Sequence, residues 1–401
     1  MTVLAGSGSP ARPQMMRAMN EQLLLDHIRS SDGISRADLA RISGLAKNTV
    51  SQALTTLERA ELVRVSGVRT GLPGPAAVLY EVRPECGFVL SLDVGGEFLR
   101  GAIADITGVV RVRRSVKAEA STGPERVAEL VALAALLLDE VGMTAEDITQ
   151  TVLGSPGVLD PQRDALGLAG PIPGWDQPAV LTELRRAFGD ALMIENDIDA
   201  AALAEQAHGH GRDFDSFAFV SVGTGIGMGL VLGGRLHRGS HGAAGEIGYL
   251  PLHEIALPLD EDAPPADSST IGSLEAAASA SGIVASARRA GMTDAASARD
   301  VFAAATRGDA LAAKIVAEEA LLVARAVCAV ITVADPELIV LGGGIGQAAG
   351  FLGAVGTHLR RLAPVLPELR VSALGDDAVV DGCLAAGLDR AWEIATLLKL
   401  G

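Results

Sequence analysis

The chain of 401 residues has three cysteines, four lysines and only 3% aromatic residues. Cys86, Cys328 and Cys383 stand alone, with two of the three pairings hundreds of residues apart. That excludes a disulfide framework and a local cysteine-based zinc ribbon. Residues 1–14 are rich in Gly, Ser and Pro and lack an apolar run, so they read as a disordered tail and not as a secretory signal. The most apolar stretch, near Ala320–Val340, is broken by Arg325, Asp335 and Glu337, so no membrane span is expected. Positive charge is scarce as well: the net charge is −16.

What charge there is lies unevenly. Residues 1–75 hold nine Arg and Lys against six Asp and Glu, a net of +3, whereas the remainder holds 24 against 43, a net of −19. A surface that grips nucleic acid throughout is excluded; a small basic module on an acidic body fits. With 49% apolar residues there is ample material for cores, and the length suggests two or three domains in a cytoplasmic protein.

In Met15–Ser31, the spacing of Met19, Leu23, Leu24, His27 and Ile28 predicts a helix that ends at Asp32-Gly33. Ser35 caps a second helix running to Ser43-Gly44. Leu45–Glu61 supplies a third, with Val50, Leu54 and Leu57 turned inward. Two short helices joined by a Gly-containing turn make a helix-turn-helix. The β-like segments Leu62–Val65 and Val78–Val82 flank Gly67, Gly71, Pro73, Gly74 and Pro75, which reads as a two-stranded wing. This module spans residues 15–82. Its bland alternative is a small helical bundle that binds protein.

Beyond Pro84 the texture changes. Phe88–Val94 is an apolar strand entering the turn Asp93-Val94-Gly95-Gly96. Leu99–Ile106 follows as a second strand, and Gly108 opens a third. The pattern recurs at Phe217–Val222, then Gly223-Thr224-Gly225-Ile226-Gly227, then Leu230–Leu232. Two strand–glycine–strand units imply a duplicated α/β architecture with a cleft between lobes: lobe 1 over about 83–194 plus the C-terminal helix, lobe 2 over about 195–380. A long apolar helix, Ala313–Ile331, precedes the strand Leu338–Leu341 and the turn Gly342-Gly343-Gly344.

Glycine turns after apolar strands present backbone N–H groups to phosphate, and Asp93 can hold a phosphate's metal. Asp93, Gly95, Gly96, Gly223, Thr224, Gly225, Gly343 and Gly344 are therefore the nucleotide-type candidates. Asp197, between a strand and a helix, can accept a proton from a sugar hydroxyl that Asn196 orients, or it can simply cap the helix. Glu246 and Glu275 each add a carboxylate flanked by glycine.

In this order, the helix-turn-helix with Thr49-Val50-Ser51, the Asp93-Gly95-Gly96 turn, Glu195-Asn196-Asp197, Gly223–Gly227, Gly242–Gly248 and Asp335-Pro336-Glu337 before the triple glycine resemble the ROK family (repressors, open reading frames, kinases) in its regulator form. The resemblance covers nearly everything after residue 15. It implies a winged helix-turn-helix followed by an actin-like (ribonuclease H-like) two-lobed sugar kinase domain over residues 83–401, with sugar hydroxyls contacted from Asn196, Asp197, Glu246 and Glu275. It also implies oligomerisation.

The departures bear on function. Family members typically carry His where this chain has Tyr249; that His touches sugar and helps bind a structural zinc that three cysteines complete. Here Leu257–Thr270 has no Cys, the last ligand position reads Ser273, and His253 alone cannot hold zinc, which needs four N/S ligands. Zinc is not expected. Kinase members have Thr after Gly-Gly, where this chain has Glu97. A carboxylate about 4 Å from a phosphate costs roughly 4 kcal/mol at an effective dielectric near 20, close to three decades of affinity. ATP binding is therefore in doubt, and Asp197 is left as a vestigial base.

The leading reading is a DNA-binding regulator, a repressor of carbohydrate-related genes, with a sugar-sensing body that is not a kinase. Its partners are a double-stranded DNA operator, a sugar or derivative as effector, and a second copy or three of itself, in a nucleoid-associated, membrane-free setting. The DNA-reading candidates are Lys47, Asn48, Thr49, Ser51 and Gln52, with Arg64 and Arg69 on phosphate. An active ATP-dependent sugar kinase that also binds DNA is the alternative. A body that binds a protein instead of a sugar is a third possibility.

Overall fold

The computed structural model describes residues 13–70, 76–169, 172–189, 191–251 and 272–400. The expected tail up to residue 12, the wing tip at 71–75, His253 and the cysteine-free segment 257–270 lie outside the described residues.

Three helices, α1 (Pro13–Arg29), α2 (Arg36–Ser43) and α3 (Lys47–Arg59), pack with strands β1 (Ile34–Ser35), β2 (Val63–Arg69) and β3 (Ala77–Val82). Ser35 starts α2 by accepting from the Asp38 N–H, a cap worth about 1 kcal/mol, and Gly44 ends it in the left-handed conformation. Leu24, Leu25 and Ile28 of α1 meet Val50, Leu54 and Leu57 of α3, all at most 1% exposed. Two details differ from the sequence expectation. The sheet has three strands in the order β1-β3-β2, because Ile34 and the α2 cap Ser35 also pair with β3. Gly67, expected in the loop, lies inside β2, where a bulge between Val65 and Gly67 shifts the register.

The body is built twice over. The first sheet uses β4 (Phe88–Val94), β5 (Phe98–Asp105), β6 (Val110–Lys117), β7 (Gln150–Ser155) and β10 (Met193–Asn196) in the order β10-β7-β4-β5-β6, so Glu195 and Asn196, expected to open lobe 2, belong to lobe 1 because they pair with β7. Around it lie α4 (Gly123–Val141), the hairpin β8 (Val158–Asp160) and β9 (Ala165–Gly167), and α5 (Pro178–Phe188). After α6 (Asp197–His208), the second sheet uses β11 (Phe217–Val222), β12 (Ile226–Leu232), β13 (Arg235–Leu236), β14 (Leu338–Gly342) and β15 (Glu368–Val371) in the order β13-β12-β11-β14-β15. In each sheet the first strand is central, two antiparallel strands follow on one side, and two parallel strands lie on the other. The strand–glycine–strand repeats of the sequence mark the first two strands of each copy. Helices α7 (Ser273–Ala278), α8 (Ala280–Arg289), α9 (Ala298–Thr306), α10 (Ala310–Ala334), α11 (Gly343–Gly346) and α12 (Phe351–Leu362) cover the second sheet.

The last helix, α13 (Ala378–Leu400), returns to the first sheet. Ser91 on β4 donates its hydroxyl to the Val380 carbonyl at 2.8 Å. Further along, Trp392 and Ala395 join Ile106, Cys86, Val82 and the α1 leucines in one continuous core. Arg29 of α1 bonds Asp389 at 2.8 Å and stacks 5.1 Å from the Trp392 ring. The winged module is thereby seated on the body by buried apolar surface, at roughly 1.5–3 kcal/mol per large side chain.

Helices α13 and α6 cross so closely that a side-chain carbon on Gly382 would sit 1.7 Å from the Ala200 carbonyl oxygen. Gly382→Ala should therefore lose at least about 3 kcal/mol, despite roughly 1 kcal/mol of gained helix propensity. Urea unfolding of the full chain checks this; an unchanged or raised midpoint would contradict the packing.

Candidate functional site

Burial of Val50, Ala53, Leu54 and Leu57 turns the other face of α3 outward, exposing Lys47, Asn48 and Gln52. Thr49 and Ser51 are half-buried. Ser51 Oγ donates to the Lys47 carbonyl at 2.9 Å, so toward a ligand this hydroxyl serves as an acceptor. On the wing, the β2–β3 register sets Arg64 opposite Glu81. Arg64 is held there at 2.8 Å, with Glu85 at 3.5 Å. Arg69 reaches back to Asp38 in the first turn of α2 at 2.7 Å, and this bond, with that from Ser35, draws the Asp38 carboxyl down to about 2. Both wing guanidinium groups are ion-paired within the free chain. Their partners come from strand register and fold-back, which sequence spacing does not display.

The second constellation gathers where β10 ends and α6 begins. Asn196 caps α6: its Oδ1 accepts from the Ile198 and Asp199 N–H groups at 2.9 and 3.2 Å, and its Nδ2 donates to the Gly157 carbonyl at 2.9 Å. Asn196, not Asp197, is thus the principal cap, with one amide N–H beyond these bonds. Asp197 accepts from the Ile198 N–H at 2.9 Å, and burial pushes its carboxyl up to about 6.

Glu246 begins the single turn Ile247–Tyr249. Burial pushes it up to about 7, with the charges of Asp197 and Glu275 adding to the shift. Gly245 allows this approach: it sits at φ +97°, and a side-chain carbon there would lie 1.8 Å from the Met228 carbonyl. Glu275, in the first turn of α7, accepts from the Ile226 N–H at 3.3 Å. The structure therefore brings Asn196, Asp197, Glu246 and Glu275 within electrostatic reach of one another, and Tyr249 follows at the end of the Glu246 turn, half-buried.

The nucleotide-type turns fall in two groups. Gly223 and Gly343-Gly344 touch at the ends of adjacent strands β11 and β14, a carbon on Gly223 falling 3.6 Å from the Gly344 nitrogen. Thr224 is exposed beside Gly225. Asp93 closes β4 on the other lobe, ahead of Gly95 and the exposed Gly96 and Glu97. Burial first and the Asp197 charge second push Asp93 up to about 7, against the opposing pull of Arg100 at 3.3 Å.

Three groups at this cleft had no role assigned from the sequence. Arg100 is bonded to Asp93; Arg238 holds Glu195 in a two-pronged bond at 2.7 and 3.0 Å; Asp199 is 4% exposed with Oδ1 lacking a hydrogen-bond partner. Burial, then the Glu195 charge, pushes Asp199 up to about 8. Glu195 and Asp199 flank Asn196-Asp197 in sequence, and that adjacency was the available signal.

Two of the positions at which the resemblance places zinc ligands, Tyr249 and Ser273, lie among the described residues. Tyr249 stands at the histidine position, and Ser273 Oγ is committed to the Leu250 carbonyl at 2.7 Å. Cys86 and Cys383 are buried elsewhere, and Cys328 lies on α10. Among the described residues, no group of three or more His, Cys, Asp and Glu is placed to hold a metal.

The ROK family model matches residues 89–389. The chain belongs to the ROK family. It is similar to the xylose repressor of Bacillus subtilis (strain 168), 23% identical over 59% of this chain and 61% of that protein. The chain thus spans about three fifths of that repressor's length. It is also similar to the N-acetylmannosamine kinase of Citrobacter koseri, 32% identical over 71% of this chain and 92% of that protein. In fold, this ROK protein matches the crystal structure of a ROK family transcriptional regulator, a homolog of the E. coli MLC protein. The TM-score is 0.74 at 24% identity, covering 96% of this chain and 99% of that one. Regulators and sugar kinases both stand among its relatives, and the two-lobed α/β fold is common to them. Among the described residues no helix is long and apolar enough to cross a membrane.

The raised cleft carboxyls set the pH response. Asp93, Asp197, Asp199 and Glu246 bind protons in the folded chain at pH values where the unfolded chain has released them. With Glu319 on α10, which burial pushes up to about 9, stability should therefore fall as pH rises from about 4 to about 9. Asp199→Asn should flatten that slope by up to one proton, about 1.4 kcal/mol per pH unit. Urea titrations at several pH values measure it; an unaltered slope would refute the burial argument.

Proposed function

We propose that this ROK protein is a sugar-responsive transcriptional repressor. It binds operator DNA through α3 and the wing, and its kinase-derived body serves as an effector domain without appreciable kinase activity. The observation that carries the reading is a single hydrophobic core. It joins an exposed α3 face to a body whose cleft groups Asn196, Asp197, Glu246 and Glu275. The regulator-type fold over nearly the whole chain supports it.

On DNA, Lys47, Asn48, Thr49, Ser51 and Gln52 face base edges in the major groove. Arg69 exchanges Asp38 for a backbone phosphate, whereas Arg64 stays with Glu81 and Glu85 at the wing root. A net charge of +3 over residues 1–75 is too weak to compete with genomic DNA, so the protein acts as a homodimer or homotetramer on paired half-sites in the cytoplasm.

In the cleft, carboxyls raised to about 6 and 7 exchange donor and acceptor roles near neutral pH, which suits vicinal hydroxyls. Tyr249 adds one phenol where an imidazole would sit. The effector is therefore a sugar or derivative other than plain glucose, bound without zinc. Ligand binding shifts the lobe equilibrium and, through α13, the spacing of the winged modules. Glu97 in the phosphate turn and the Arg100 bond to Asp93 argue against productive ATP binding, which disfavours the kinase alternative.

Gln52→Ala should relax sequence preference at one base pair by about 1–3 kcal/mol. Arg69→Ala should weaken all DNA alike and flatten the salt dependence. Equal losses on specific and random DNA for Gln52→Ala would sink the assignment of α3.

Calorimetry across a sugar panel should find a ligand whose affinity is abolished by Asp197→Ala and indifferent to chelator, with no ADP release when ATP is added. Chelator sensitivity, or turnover of ATP, would overturn the zinc-free, non-catalytic reading of the body.

A further inference from the structure

The segment 237–246 leaves the second sheet and returns to it almost at once. The His237 N–H donates to Leu230 at 2.7 Å, and the Gly245 carbonyl accepts from Met228 at 2.9 Å. Both anchors lie on β12, two residues apart, so residues between them form a loop that projects from lobe 2. Its contacts lie on lobe 1. Arg238 grips Glu195 at the end of β10 with two bonds, and Glu195 is only 5% exposed. The Ser240 carbonyl accepts from Gln162 Nε2 at 3.2 Å. His241 Nδ1 lies 3.4 Å from Asp160, and the Gly242 backbone abuts Leu159, both on β8. Glu246 is the next side chain after this loop, while Asn196 and Asp197 directly follow Glu195.

We infer that the Arg238–Glu195 pair is the interlobe latch that sets Glu246, carried by lobe 2, against Asn196 and Asp197, carried by lobe 1. Arg238 is thereby a positioning residue for the cleft, acting through Glu195 and the loop backbone. A planar guanidinium bonded at two points fixes both distance and orientation, which a lysine ammonium does not. The neighbouring bonds to Gln162 and Asp160 are partly solvated and weaker, so the latch rests chiefly on the buried carboxylate. The sugar-affinity consequence rests on the effector reading proposed above; the mechanical one does not.

Hydrogen exchange on the full chain, without ligand, separates the two. Arg238→Ala and Glu195→Gln should each raise exchange at least about tenfold in both the 237–246 loop and the β8–β9 hairpin of the opposite lobe. Arg238→Lys should restore part of the protection, and the charge-reversed pair Glu195→Arg with Arg238→Glu should restore more than either single reversal. Faster exchange confined to the mutated segment, with the opposite lobe unchanged, would overturn the latch. If Arg238→Ala fails to fold, Arg238→Lys and Arg238→Gln read the same two segments.

In calorimetry with xylose, glucose and N-acetylmannosamine as probes, Arg238→Ala should weaken whichever sugar the wild-type chain binds by about tenfold or more, with Arg238→Lys intermediate. Unchanged affinity would remove Arg238 as a positioning residue. If the wild-type chain binds none of the three, the effector reading loses its support, and the exchange data alone decide the latch.

Discussion

The crossing of α13 over α6 is the constraint on which the other parts depend. At Gly382 there is room for no side chain, because the Ala200 carbonyl lies where one would be. From that contact α6 runs back to the Asn196 cap and the cleft carboxyls. In the other direction α13 runs to Trp392 and Arg29, under the winged module. One helix thus touches the backbone that positions the cleft carboxyls and the helix that seats the winged module.

The cleft concentrates negative charge in a buried place. Burial is the largest cause of the upward shift at Asp93, Asp197, Asp199 and Glu246, and mutual repulsion adds to it at Asp93, Asp199 and Glu246. Two arginines answer it, Arg100 beside Asp93 and Arg238 on Glu195. Neither faces the cluster as a free cation able to bind phosphate. Carboxyls held near neutrality can donate or accept, as hydroxyl ligands do.

A comparable economy appears in the winged module. The wing and α2 are tied by Arg69 and Asp38. Asp38 also belongs to the Ser35 cap, which makes one carboxylate serve helix start and wing placement together.

Much of this was legible in the linear chain. Apolar periodicity with Ser35 and Gly44 gave the helices of the winged module, since capping and 3.6-residue spacing are local properties. The two strand–glycine–strand repeats announced the duplicated sheets. The series Asn196, Asp197, Glu246 and Glu275 was recognisable because such polar residues beside glycine, in fixed order, carry a family resemblance. Other features needed the folded chain. Asn196 rather than Asp197 caps α6, Arg64 and Arg69 are ion-paired, and Gly67 lies inside a bulged strand. Arg100 and Arg238 belong to the cleft although nothing in their spacing marks them, and Asp199 is marked only by its adjacency to Asn196-Asp197. Each of these depends on strand register, lobe docking or burial, which bring together groups 31 to 43 residues apart in the cases of Arg69 with Asp38 and Arg238 with Glu195. Local sequence sets which elements form and which side chains they offer. Only tertiary packing decides which charges meet, because that depends on the dielectric and the neighbours that the fold supplies.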